Sequence, residues 1–283
     1  MDSLVSTEWL AAELGAGDLK LLDASMHLPD AARDARGEYD AGHIPGALFL
    51  DLASLVDADA PTENTLPTPA QFAARMAQLG IGADDHIVIY DDSAIRSAAR
   101  AWFVLTHYGA RHVTILDGGL GKWKAESRTL AGGAVAAGSG TFTSAPASDR
   151  LRSKADVLAN ITGGTAQVID ARGAPRFAGL APEPRPGIAP GHIPGSRNLP
   201  YSALFGPDGT YKDDDALRAA FEAAGVDLER PVIASCGSGV TACVLLFALD
   251  RLGKTDTALY DGSWAEWGAD PATPKETGAS QGG

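Results

Sequence analysis

The chain has 283 residues, 45% of them hydrophobic and 21% charged, enough for one large or two ordinary cores. Its formal net charge of -13 argues against nucleic acid and anionic membrane surfaces as partners, since both demand concentrated positive charge. Only two cysteines occur, Cys236 and Cys243, too few for a disulfide framework or a zinc cluster, and the six histidines show no metal-ligand spacing; no metal site is expected.

The first segment, MDSLVSTEWLAAELGAGD, has acids but no basic start and no long apolar run, and no later stretch approaches bilayer-spanning length. A cytoplasmic location is the expectation. Leu21-Leu22-Asp23-Ala24 follows, then His43-Ile44-Pro45-Gly46. Thr68-Pro69-Ala70-Gln71 combines an N-cap threonine, proline at the first helical position and glutamine at the capping-box position, which predicts a helix carrying Phe72, Met76 and Leu79 on one face and stopping at Gly80. Ile87–Tyr90 and Val113–Leu116 read as buried strands, and Asp117-Gly118-Gly119 with Trp123 closes the series.

These motifs then recur about 145 residues later, the mark of a tandem duplication. Val168-Ile169-Asp170-Ala171 repeats the first, His192-Ile193-Pro194-Gly195 the second, and Asp261-Gly262-Ser263 with Trp267 the last. Leu217, Phe221 and Ala224 repeat the helical face before Gly225. Eleven positions separate Gly80 from Asp91 and Gly225 from Cys236, so Asp91 and Cys236 are equivalent. A stretch rich in Gly, Ala, Ser and Thr, residues 131–150, divides the copies, giving a first domain at 1–135, a linker at 136–150 and a second domain at 151–283, with a frayed tail from Asp270. Alternating β-branched runs and helical patterns predict an α/β fold, each copy a mostly parallel sheet flanked by helices on both faces.

The chemistry-bearing segment lies in the second copy. Val232–Ser235 reads as a strand, Cys236-Gly237-Ser238-Gly239-Val240-Thr241 as a tight loop, and the residues from Ala242 as a buried helix. Such a loop gathers backbone N–H groups at a helix N-terminus, a setting that favours an anion. A thiol of ordinary pKa is only about 3% ionised at pH 7, so a cradle of this kind would favour the nucleophilic thiolate and equally an anionic persulfide. The alternative, a small buried hydrophobe, is the expectation for Cys243.

The loop, together with the duplicated HIPG and DG(G/S) motifs, resembles the tandem-domain rhodanese superfamily, and specifically its 3-mercaptopyruvate sulfurtransferase branch. The resemblance covers nearly the whole chain and implies two rhodanese-like domains. The first would be inactive, with Asp91 at the cysteine's place. It further implies Cys236 as sulfur carrier, a substrate seated on Gly237, Gly239, Val240 and Thr241, and Arg176 and Arg185 as carboxylate ligands. Guanidinium binds a carboxylate bidentately. Ser238 would act with His43 and Asp34 in a relay, although a motif kept in both halves, as His43 and His192 are, also suits a turn, and Glu38 and Asp40 are neighbouring acids.

Thiosulfate enzymes of the superfamily carry basic residues in this loop, where the chain has Gly237 and Ser238. A neutral loop suits 3-mercaptopyruvate, whose carboxylate is remote from its sulfur, with cations set farther off. The expected acceptors are cyanide, small thiols or thioredoxin, and no metal or organic cofactor is required. Thiosulfate:cyanide sulfur transfer and a non-catalytic persulfide carrier are the alternatives. A cysteine phosphatase needs an arginine six residues after its cysteine, where Ala242 stands.

Overall fold

The computed structural model describes residues 3–279. Two compact units emerge, and each takes in a short segment from the opposite half of the sequence. The first comprises residues up to Asp57, Leu66–Ala147 and Phe205–Tyr211; the second comprises Ala58–Thr65, Ser148–Leu204 and the chain from Lys212 onward.

In the first unit β1 (Leu4–Val5), β2 (Leu19–Asp23), β3 (Leu48–Phe49), β4 (His86–Tyr90) and β5 (His112–Leu116) form one sheet in the order β1-β5-β4-β2-β3, every pair parallel. Parallel neighbours require crossovers, here supplied by α1 (Thr7–Glu13), α2 (Ala35–Ala41), α3 (Pro69–Leu79) and α4 (Ala98–His107), while α5 (Gly119–Ala125) follows the last strand. The expected capping box opens α3: the Gln71 amide donates to Thr68 Oγ1 at 3.3 Å and the Thr68 amide to Gln71 Oε1 at 2.7 Å. Gly80 ends it at φ +68°. Leu10, Leu21, Val88, Tyr90 and Trp123 share one core on the sheet.

The second unit repeats the plan. Strands β6 (Leu151–Arg152), β7 (Gln167–Asp170), β8 (Arg197–Asn198), β9 (Val232–Ser235) and β10 (Thr257–Tyr260) are ordered β6-β10-β9-β7-β8, again all parallel. Helices α6 (Lys154–Gly163), α7 (Ala174–Phe177), α8 (Asp214–Ala223), α9 (Ala242–Arg251) and α10 (Ser263–Trp267) complete it. β9 is central and wholly buried, and α9 is buried from Ala242 to Leu249. The loop joining them therefore has a rigid element on either side.

The expected linker packs on the first unit: Phe142 is buried edge-on against Phe72, and the amides of Ala145 and Ala147 donate to Tyr108 and His107 carbonyls. One expectation changes, because the chain does not fray from Asp270. Trp267 Nε1 donates to the Pro274 carbonyl, Thr273 is buried, and Glu276 pairs with His192 as an isolated bridge. Residues 280–283 of the expected tail lie outside the described residues. Among the described residues, no helix is long and apolar enough to cross a membrane.

Candidate active site

Cys236 stands at the end of β9 with 1% of its surface exposed. The turn into α9 requires Gly239, at φ +76°, to adopt a left-handed conformation. Ser263, at the start of α10, fastens the loop: its Oγ accepts the Cys236 and Gly239 amides at 3.1 Å each and donates to the Tyr260 carbonyl at 2.8 Å. Ser263 is itself left-handed at φ +48°, an unusual conformation for a serine. The carbonyls of Cys236 and Gly237 accept the Trp264 and Ala265 amides.

Two amides expected in the anion cradle are therefore spent on holding the loop. Those of Gly237, Ser238, Val240 and Thr241 find no acceptor among the described residues and are left for an anion. The equivalent loop of the first unit holds an anion already, since the Asp91 carboxylate accepts the Ser93 amide at 3.0 Å and the Ala98 amide, at the start of α4, at 2.6 Å. Burial nevertheless pushes the Asp91 carboxyl up to about 6, against the pull of these amides. Cys243 is fully buried, with its Sγ 3.2 Å from the Gly239 carbonyl, as expected of a core cysteine.

Positive charge lies nearer the loop than expected. A Cβ at Gly237 would stand 3.3 Å from Arg176 Nη2, so this guanidinium packs directly beside the residue after Cys236. Arg176 Nη2 also bonds Glu183 Oε2 at 2.5 Å, and its buried Nε has no partner among the described residues. Glu183 bridges to a second cation, Arg172, at 2.7 Å. Arg172 is 2% exposed, pairs with both oxygens of Asp170, donates to the Gly191 carbonyl and lies 4.6 Å above the Trp264 ring. In the first unit the corresponding aspartate, Asp23, meets the Ser25 amide and the hydroxyls of Ser25 and Tyr90, and no arginine among the described residues.

Arg185 is held by Glu63, whose Oε2 accepts Nε at 2.8 Å and Nη2 at 2.7 Å. The next residue, Asn64, donates from Nδ2 to Ser238 Oγ at 3.1 Å. Both belong to the Ala58–Thr65 segment of the second unit. Sequence reasoning missed them because Thr62-Glu63-Asn64-Thr65 has no periodicity and reads only as loop. Arg172 and Glu183 were missed as well. Ser263 had left a visible signal, being the one departure from the repeated Asp-Gly-Gly motif.

Two members of the expected relay, Asp34 and His43, are not hydrogen-bonded to each other. His43 is fully buried, its Nδ1 is 2.8 Å from the Tyr39 carbonyl, and its ring stacks on Tyr39 at 4.1 Å. His43 Nε2 has no hydrogen-bond partner among the described residues, so Asp34 does not reach it. Asp34 is exposed at the N-terminus of α2. His192 repeats the arrangement with the Phe177 carbonyl and ring. A buried imidazole that seals the HIPG turn in both units explains why the motif is duplicated.

The site and its setting define a tandem α/β protein with a nucleophilic cysteine in an anion-favouring loop. The model of the rhodanese-like domain matches residues 6–126 and 153–270, and the chain belongs to that family. It is 42% identical over 273 residues to a 3-mercaptopyruvate sulfurtransferase of Escherichia coli (strain K12), covering 96% of this chain and 97% of the relative. A thiosulfate sulfurtransferase of Cricetulus griseus is 39% identical over 287 residues, covering 99% and 96%. The crystal structure of SseA from Escherichia coli, a 3-mercaptopyruvate sulfotransferase, matches with a TM-score of 0.86 at 40% identity over 93% of this chain and 99% of that one.

Proposed function

We propose that the protein is a sulfurtransferase that takes sulfur from 3-mercaptopyruvate through a Cys236 persulfide and passes it to cyanide or a thiol. The observation that carries this reading is a neutral Cys236-Gly237-Ser238-Gly239 loop with Arg176 packed against Gly237. A donor with its anionic group remote from the sulfur places its carboxylate on Arg176 and Arg185 while the sulfur meets Cys236. Thiosulfate carries its charge next to the transferred sulfur, where the loop Gly237-Ser238-Gly239 offers no basic side chain of its own.

In the reaction the Cys236 thiolate attacks the donor sulfur, the carbon–sulfur bond breaks, and its electrons leave as the enolate of pyruvate. The amides of Gly237, Ser238, Val240 and Thr241 stabilise first the thiolate and then the persulfide. A second nucleophile removes the outer sulfur. We place the protein in a reducing compartment, the cytoplasm, on this reading, since the Cys236 thiol must stay free to attack the donor.

Intact mass tests the intermediate: on adding 3-mercaptopyruvate the wild type gains one sulfur atom, and Cys236→Ser gains none. A wild type that stays unmodified overturns the reading. The Cricetulus griseus relative makes thiosulfate the second candidate donor. A kcat/KM for thiosulfate exceeding that for 3-mercaptopyruvate would decide in its favour.

A further inference from the structure

Removing sulfur from 3-mercaptopyruvate requires a proton transfer as well as a displacement. The donor begins as a thiol and its carbon skeleton ends as a methyl group, so the thiol proton must finish on carbon. At the moment of transfer that proton is on the outer sulfur of the persulfide and the carbon is an enolate. Ser238, two residues after Cys236 and 8% exposed, is a hydroxyl suited to move it.

What Ser238 can do is fixed by its partner. The Asn64 amide nitrogen donates to Ser238 Oγ at 3.1 Å. That nitrogen has no acceptor capacity, so the serine proton points elsewhere, and one lone pair of Oγ remains. Asn64 is itself held in place. It has a left-handed φ of +60°, a conformation asparagine tolerates better than most residues. Thr65 Oγ1 donates to the Thr62 carbonyl at 2.7 Å, and Glu63 is tied to Arg185.

No imidazole of the second unit serves Ser238. His192, the only histidine described there, is 2% exposed and engaged with the Phe177 carbonyl. The charged groups around the loop are Cys236 itself and the ion-paired set of Asp170, Arg172, Arg176, Glu183, Arg185 and Glu63.

On the 3-mercaptopyruvate reading, we propose that Asn64 is a positioning residue that holds Ser238 as a neutral proton shuttle, so that no ionising relay residue takes part. Oγ accepts the proton of the persulfide S–H through its remaining lone pair while its own proton passes to the enolate carbon. The persulfide is left anionic, pyruvate is complete and the serine is unchanged. With thiosulfate the same cysteine yields a persulfide and sulfite without moving any proton. The shuttle is therefore needed for one donor and superfluous for the other.

The test compares both donors by single-turnover persulfide formation, read by intact mass, and by steady-state kcat, from pH 5 to 7.5. Asn64→Ala should lower kcat for 3-mercaptopyruvate by roughly tenfold with little change in KM, and affect loading from thiosulfate far less. Thiosulfate loading also reports that the variant is folded. The ratio of the two donors' rates should be flat with pH in the wild type, and Asn64→His should give it a step near the ordinary imidazole value of about 6.5. An equal loss on both donors in Asn64→Ala, or a step already present in the wild type, overturns the shuttle. A wild type loaded by thiosulfate but not by 3-mercaptopyruvate overturns the donor reading instead.

Discussion

Arg176 occupies the space that a side chain at Gly237 would fill, its Nη2 lying 3.3 Å from where the Cβ would be. The absence of a side chain at 237 and the presence of a cation beside the loop are thus one feature. Where a loop carries its own basic residue, the charge sits on a flexible stem. Here it is delivered from α7 and steadied by Glu183.

Gly237→Ala should therefore act through Arg176. The added methyl displaces the guanidinium by a few tenths of an ångström and misplaces the donor carboxylate, an error that costs about tenfold or more in kcat/KM when geometry is demanding. The expected result is a selective loss on 3-mercaptopyruvate in steady-state assays, with thermal stability little changed. An equal loss on thiosulfate would show that the loop itself had been distorted.

Glu63 occupies Arg185 before any donor arrives. Its side chain is 69% exposed, so the pair is worth under about 1 kcal/mol. Glu63→Gln should lower KM for 3-mercaptopyruvate by about two- to fivefold with kcat unchanged, and the gain should shrink at high salt. In an Arg185→Met background the same substitution should have no effect on KM. Binding of pyruvate to Cys236→Ser, followed by calorimetry, provides a second readout.

Asp91 gives a pH prediction of the opposite sign to most carboxylates. Its folded value, about 6, lies above the ordinary 3.8, so the folded state holds a proton that the unfolded chain has lost between these values. Its contribution to stability is present at low pH and falls as pH rises through about 6. Asp91→Asn removes this slope. The stability of the variant relative to wild type should rise by about 1 kcal/mol between pH 5 and pH 7.5 in urea unfolding. A constant difference across that range would contradict it.

The sequence disclosed the parts of the fold that repeat or are periodic. The strand from Val232 to Ser235, the capping box at Thr68 and Gln71 and the equivalence of Asp91 with Cys236 were all legible, because burial and helix initiation impose local patterns. The HIPG motif at His43 was legible as a repeat, and its 0% exposure and its contact with the Tyr39 carbonyl give it a part in the turn that repetition suggests. Asn64 and Glu63 were invisible because their positions depend on where an aperiodic loop packs. Glu183 was hidden too, since an acid that neutralises two buried or half-buried arginines looks, in one dimension, like any other surface acid.

The exchange of segments bears on why a copy of the domain with aspartate in place of the nucleophile persists. A fragment beginning at Ser148 would retain Cys236, Ser238, Arg176 and Arg185, yet would lack Ala58–Thr65 and with it the neighbours of Ser238 and Arg185. On the proposed function, the half carrying Cys236 is completed by an eight-residue loop, Ala58–Thr65, encoded in the other half, so the two copies form one functional unit rather than two interchangeable ones.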